Sequence, residues 1–98
     1  MSTKVIGLME LTDLNAFEEY RKKVGQTVAP FKGTIHARGA ITEVFWNELN
    51  CGPFSAYVEL HFPNQEAAHA WATSPQYQSL VAIRNQAMKL TLFCVNLS

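Results

Sequence analysis

The sequence predicts an α+β domain whose elements run strand, helix, strand, strand, helix, strand, and three stretches predict that order. Residues 54–62 alternate without a break, with Phe54, Ala56, Val58, Leu60 and Phe62 on one side and Ser55, Tyr57, Glu59 and His61 on the other. That is the period of a strand covered on one face. Upstream, Phe17, Tyr20, Val24, Val28 and Phe31 recur at spacings of three and four behind Asp13, the stripe of an amphipathic helix behind its N-cap. Downstream, Asn64 and the pair Ser74-Pro75 are both helix-opening signals, the first by capping and the second by capping and by proline at the first helical position.

Taken in order, residues 4–11 form the first strand. Val5, Met9 and Leu11 lie on one face, and the other carries the apolar Ile6 and Leu8, so the strand is covered on both sides. In the first helix Glu18, Glu19, Lys22 and Lys23 form the polar face and pair Glu to Lys at the favourable i, i+4 spacing. Gly25 costs this helix about 1 kcal/mol relative to Ala, and Pro30 disfavours helical geometry at Ala29, which predicts an end or kink there. Lys32-Gly33 turns the chain. Residues 34–48 are β-rich, with Ile35, Ile41, Val44, Phe45 and Trp46, and Gly39 in the middle predicts a bulge or a close backbone approach. Residues 47–53 form a turn before the third strand. Asn64 then caps a helix with Glu66 near the positive end of its dipole, and Ser74-Pro75 breaks this second helix in two. Residues 90–97 form a last strand, apolar on both faces.

The resulting β-α-β-β-α-β order is the split βαβ arrangement of the ferredoxin-like fold, here with a four-stranded antiparallel sheet. At 98 residues the chain suits one domain spanning 1–98 and buries only roughly 60 to 65% of its unfolded surface. Two helices cover one face of such a sheet, so the open face calls for a second copy, and a homodimer is expected. Eight basic and eight acidic residues balance to zero net charge, and the basic ones are scattered apart from Arg21-Lys22-Lys23. That excludes the electrostatic footprint of a nucleic-acid binder. The first ten residues hold too short an apolar run for a signal peptide, and no stretch approaches the roughly 20 residues of a membrane span. A cytoplasmic location without membrane attachment is the default. Cys51 and Cys94 make neither a disulfide framework nor a metal knuckle, and Cys94 reads as a small core residue.

Phe62-Pro63, Glu66-Ala67-Ala68, Ala70-Trp71, Ser74-Pro75, Tyr77-Gln78 and Arg84, with Arg38-Gly39 on the second strand, resemble the bacterial family called domain of unknown function 1330. The resemblance spans nearly the whole chain, and the motif of Trp71, Ser74, Pro75 and Tyr77 is its most specific part. It implies a dimeric α+β barrel in which two ferredoxin-like protomers pack sheet against sheet. Related barrels include cofactor-independent monooxygenases, muconolactone-isomerase-like enzymes and haem-handling proteins, while the family itself brings no established reaction. The chain departs from the family pattern at Lys32-Gly33, where two glycines are usual, and at Ala40, where another glycine is common.

Strand parity nominates a site independently of that resemblance. A period of two puts His36 and Arg38 on one face of the second strand and Tyr57, Glu59 and His61 on one face of the third. If helices take the apolar face, this polar set looks into a cleft beside the open sheet face. There Glu59, His61 and His36 are the candidate catalytic groups, Glu59 as a base, and Arg38 is the anchor for an anionic oxygen. The plainer reading makes Arg38 and Glu59 a cross-strand ion pair with both histidines at a wet rim. Two histidines and a carboxylate can also ligate a metal, but nothing in the spacing requires one, so neither metal nor cofactor is expected. Trp71 and Tyr77 read as packing residues, and Arg84, on the stripe of Tyr77, Leu80 and Ala87, needs an internal partner. His69 lies on the solvated side of its helix. Two functions follow: binding of a small anionic or aromatic organic molecule, with isomerase-like or cofactor-independent monooxygenase-like turnover as one form of it, or a non-enzymatic structural or regulatory dimer.

Overall fold

In the computed structural model, which describes residues 2–97, β1 (Ser2–Leu11) is central. It pairs antiparallel with β3 (Ala56–Phe62) on one side and with β4 (Met88–Leu97) on the other. β2 (Thr34–Ala40) pairs antiparallel with β3 and forms an edge, giving the order β2-β3-β1-β4. Register decides which side chains share a face. Val5 stands opposite Leu60 and Cys94, and Met9 opposite Ala56 and Leu90, so these residues look toward one layer while Lys4, Ile6 and Leu8 look away from it.

That layer is helical. α1 (Leu14–Val28) starts where the Asp13 carboxylate accepts from the amides of Asn15 and Ala16. It stops where Pro30 stops it, a single 3-10 turn (Ala29–Phe31) following. α2 (Gln65–Thr73) opens on Asn64, whose side chain accepts from the Ala67 amide at 2.8 Å. Ser74 ends α2 and opens α3 (Pro75–Gln78): its hydroxyl donates to the Trp71 carbonyl at 2.7 Å and accepts from the Tyr77 amide at 3.1 Å. The expected break is therefore present. The core lies between these helices and the sheet, with Val5, Met9, Leu60 and Phe62 packed among Tyr20, Val24, Val28, Trp71, Tyr77 and Leu80.

The elements and their burial depart from the sequence reading in four places. A second interruption after α3 leaves α4 (Val81–Ala87) as a separate helix, so Tyr77 and Arg84 are not on one continuous helical stripe. β2 ends at Ala40 rather than running to residue 48, and Val44, Phe45 and Trp46 are exposed in an irregular loop. Their β-propensity has nothing to act on, because β2 is an edge and no layer covers the loop. The bulge falls between Ile35 and Ala37, not at Gly39, where nothing lies within 4 Å of an added Cβ and no close approach is made either. Cys94 is exposed, not a core residue: it lines a cleft left open between α2 and β4.

Candidate functional site

The bulge at His36 controls what the sheet presents on each side. Because β2 carries one extra residue there, Thr34 stands opposite His61 and Ala37 opposite Glu59, and Arg38 is moved onto the row of Val58 and Leu60. His36 and Arg38 therefore do not share a face. Unbroken parity counting joined them; the inserted residue separates them.

On the open face, His36, Tyr57, Glu59 and His61 come together around the Glu59 carboxylate. Tyr57 donates its hydroxyl to Oε1 at 2.6 Å, His61 Nε2 shares a hydrogen bond with Oε2 at 2.7 Å, and Lys4 Nζ lies 3.1 Å from the same Oε2. His36 Nε2 is 3.9 Å from Oε2. Its ring stacks on that of His61, with centroids 4.0 Å apart and planes at 14°. The Tyr57 hydrogen bond, then those of His61 and Lys4, bring the Glu59 carboxyl down to about 2 from an ordinary 4.5. The same hydrogen bond raises the Tyr57 phenol. A carboxylate held this strongly ionised is an acceptor and a ligand; it is a poor base. Lys4 was not singled out in the sequence, although its even position on β1 puts it on this face.

On the helix face, Arg38 lines a cavity of about 370 Å³ between α1 and the sheet. Its walls are mostly apolar, with Met9, Phe17, Val24, Leu60, Trp71 and Met88 among them. Tyr20, Arg21, Arg38 and Ser55 are among the polar residues that join them. Tyr20 entered the sequence reading only as a member of an apolar stripe, yet a buried phenol must place its hydroxyl. It does so on Tyr77: the two oxygens are 3.0 Å apart, and Arg84 Nη1 donates to the Tyr77 hydroxyl at 3.0 Å. Burial, then the neighbouring Tyr77, raises the Tyr20 phenol, and Arg84 and Arg38 pull it down without offsetting this. Arg84 also lies over the Tyr77 ring, 5.7 Å from its centroid. The Trp71 indole nitrogen donates to the Thr27 hydroxyl at 3.0 Å, tying α2 to α1. Trp71, Ser74, Pro75, Tyr77 and Arg84 are thus joined by caps and hydrogen bonds that hold the helices together, and of these Trp71 reaches the cavity. His69 is exposed on α2.

The family model described as Domain of unknown function (DUF1330) matches residues 4–97. No curated protein matches. Among solved structures, a protein of unknown function from Rhodopseudomonas palustris superposes with a TM-score of 0.78 at 16% identity, over 99% of this chain and 83% of that one. A dimeric ferredoxin-like protein of unknown function from Thermobifida fusca gives 0.67 at 17% identity, over 99% and 92%. SnoaB, a cofactor-independent oxygenase from Streptomyces nogalater, gives 0.68 at 9% identity, over 99% and 93%. At these identities the likeness is one of fold. No helix among the described residues is long and apolar enough to cross a membrane.

Proposed function

The chain belongs to the domain of unknown function 1330 family, and from that premise we propose that it is a homodimeric binding protein for a small organic molecule that is largely apolar, aromatic in the simplest case, and carries one anionic oxygen. The observation that carries this reading is the cavity of about 370 Å³ with Arg38 on its wall. A volume of that order lies at the lower end of small-molecule sites, and apolar walls with a few polar groups give such sites affinity and orientation separately. Arg21 and Arg38 supply positive charge, and a guanidinium suits a carboxylate or phenolate oxygen in two-pronged fashion. The ligand thus sits under α1, and the anchor named from the sequence serves the opposite sheet face from the one first expected.

The open face supports the dimer. Ile6, Leu8, Phe93 and Val95 share it by register, and Phe93 is 44% exposed; a second copy laid on the same face covers them. Solved neighbours called dimeric ferredoxin-like proteins support the same arrangement. Two free thiols, Cys51 and Cys94, suit the reducing cytoplasm. The fold shared with a cofactor-independent oxygenase makes turnover of the bound molecule worth assaying.

Thermal denaturation against a panel of benzoates, phenols and short aliphatic acids tests the reading. A ligand at a hundredfold excess over Kd stabilises by about 2.7 kcal/mol, a rise of about 10–20 °C in a domain this small. The expected result is a shift with an aromatic acid that Arg38→Ala abolishes while the dimer persists. No shift across the panel, or a shift that survives Arg38→Ala, overturns it in favour of a structural or regulatory dimer.

A further inference from the structure

We propose that His36, Glu59 and His61 form a binding site for one divalent transition-metal cation on the open sheet face, away from the ligand cavity. The donor atoms of the three side chains lie within 4.8 Å of one another. A single cation with bonds near 2.1 Å bridges ligand atoms up to roughly 4.2 Å apart, so adjustments of a few tenths of an ångström in side-chain torsions bring the three to it. His61 Nε2 is at 2.7 Å and His36 Nε2 at 3.9 Å from the same oxygen, Glu59 Oε2.

The arrangement is built, not incidental. The bulge between Ile35 and Ala37 brings the His36 ring over that of His61, and a turn of the exposed His36 ring out of the stack points both nitrogens at one position beside Oε2. Tyr57 holds the far oxygen, Oε1, at 2.6 Å. That fixes the carboxylate plane and leaves Oε2 for the cation, as outer-shell partners of metal carboxylates do. Two imidazole nitrogens and one carboxylate select zinc, cobalt, nickel or ferrous iron over magnesium or calcium, and three protein ligands leave a coordination position for water. Without metal, the Lys4 ammonium supplies positive charge at Oε2, and His61 Nε2 shares a hydrogen bond with the same oxygen. The cation takes the place of both: His61 ligates through Nε2 with its ring proton on Nδ1, and Lys4, with a side chain 29% exposed, swings out on its flexible stem.

Titration of the metal-free protein with Zn²⁺ by calorimetry, and with Co²⁺ by visible absorption, tests this. The expected result is one cation per protomer, with binding lost in His36→Ala and in His61→Ala. Tyr57→Phe weakens it about 10- to 100-fold, and Lys4→Met strengthens it. His36 has a side chain 56% exposed, so its replacement leaves the core intact. His69→Ala, Cys51→Ser and Arg38→Ala leave binding unchanged, the last separating this site from the cavity. Absence of binding in the unsubstituted protein, binding that persists in His36→Ala, or binding lost in His69→Ala overturns the proposal.

Discussion

Two adjacent residues, Lys32 and Gly33, meet opposite demands at the turn out of α1. Lys32 takes a left-handed backbone, φ 62, which costs a residue with a side chain roughly 1–2 kcal/mol and glycine almost nothing. Gly33 has no positive φ, but a Cβ on it lies 2.5 Å from Phe62 Cε1 and 2.7 Å from Val28 Cγ1, both in the core. Its lack of a side chain answers to packing. The two sites therefore respond with opposite sign. Gly33→Ala loses about 1–3 kcal/mol by overpacking, and Lys32→Gly gains up to about 1 kcal/mol; urea midpoints of the two variants check both. A stable Gly33→Ala protein contradicts the close approach.

At the scale of elements, Ser74 is the most consequential cap, because one buried hydroxyl ends α2 and begins α3. Ser74→Ala leaves the Tyr77 amide without its partner and removes one of the two donors to the Trp71 carbonyl, which keeps the Ser74 amide, and costs about 2 kcal/mol, whereas Asn64→Ala, at an exposed cap with one hydrogen bond, costs about 1 kcal/mol. Thermal unfolding of the pair ranks them, and equal losses count against the double role. These caps were legible in the sequence because capping depends on a few neighbouring residues. The third strand was legible for a similar reason, its alternation being unbroken from Phe54 to Phe62. The face of Arg38 was not: the inserted residue at His36 is defined by pairing with β3, carries no glycine to mark it, and inverts every parity after it. The cavity was hidden with it, since Tyr20 looked like one more apolar stripe position. Tyr57, Glu59 and His61 were found together because they lie on β3, whose own alternation is unbroken, and His36 joins them because it lies at the irregularity and not past it.

Over the whole molecule, the sheet divides its open face into an apolar half on β1 and β4 and a polar half on β2 and β3. The dimer is expected to draw on the apolar half, and Phe93→Asp is expected to yield a monomer by light scattering at micromolar concentration, where the unsubstituted protein has twice the protomer mass. A monomer in both cases removes the dimer. The loop after β2 has a separate consequence. It carries Trp46, 81% exposed, while the chain's other tryptophan, Trp71, is 2% exposed and walls the cavity. The two indoles therefore emit from contrasting surroundings. A water-borne quencher reaches the first and spares the second, so the residual blue-shifted emission is an intrinsic optical gauge of whatever occupies the space beneath α1.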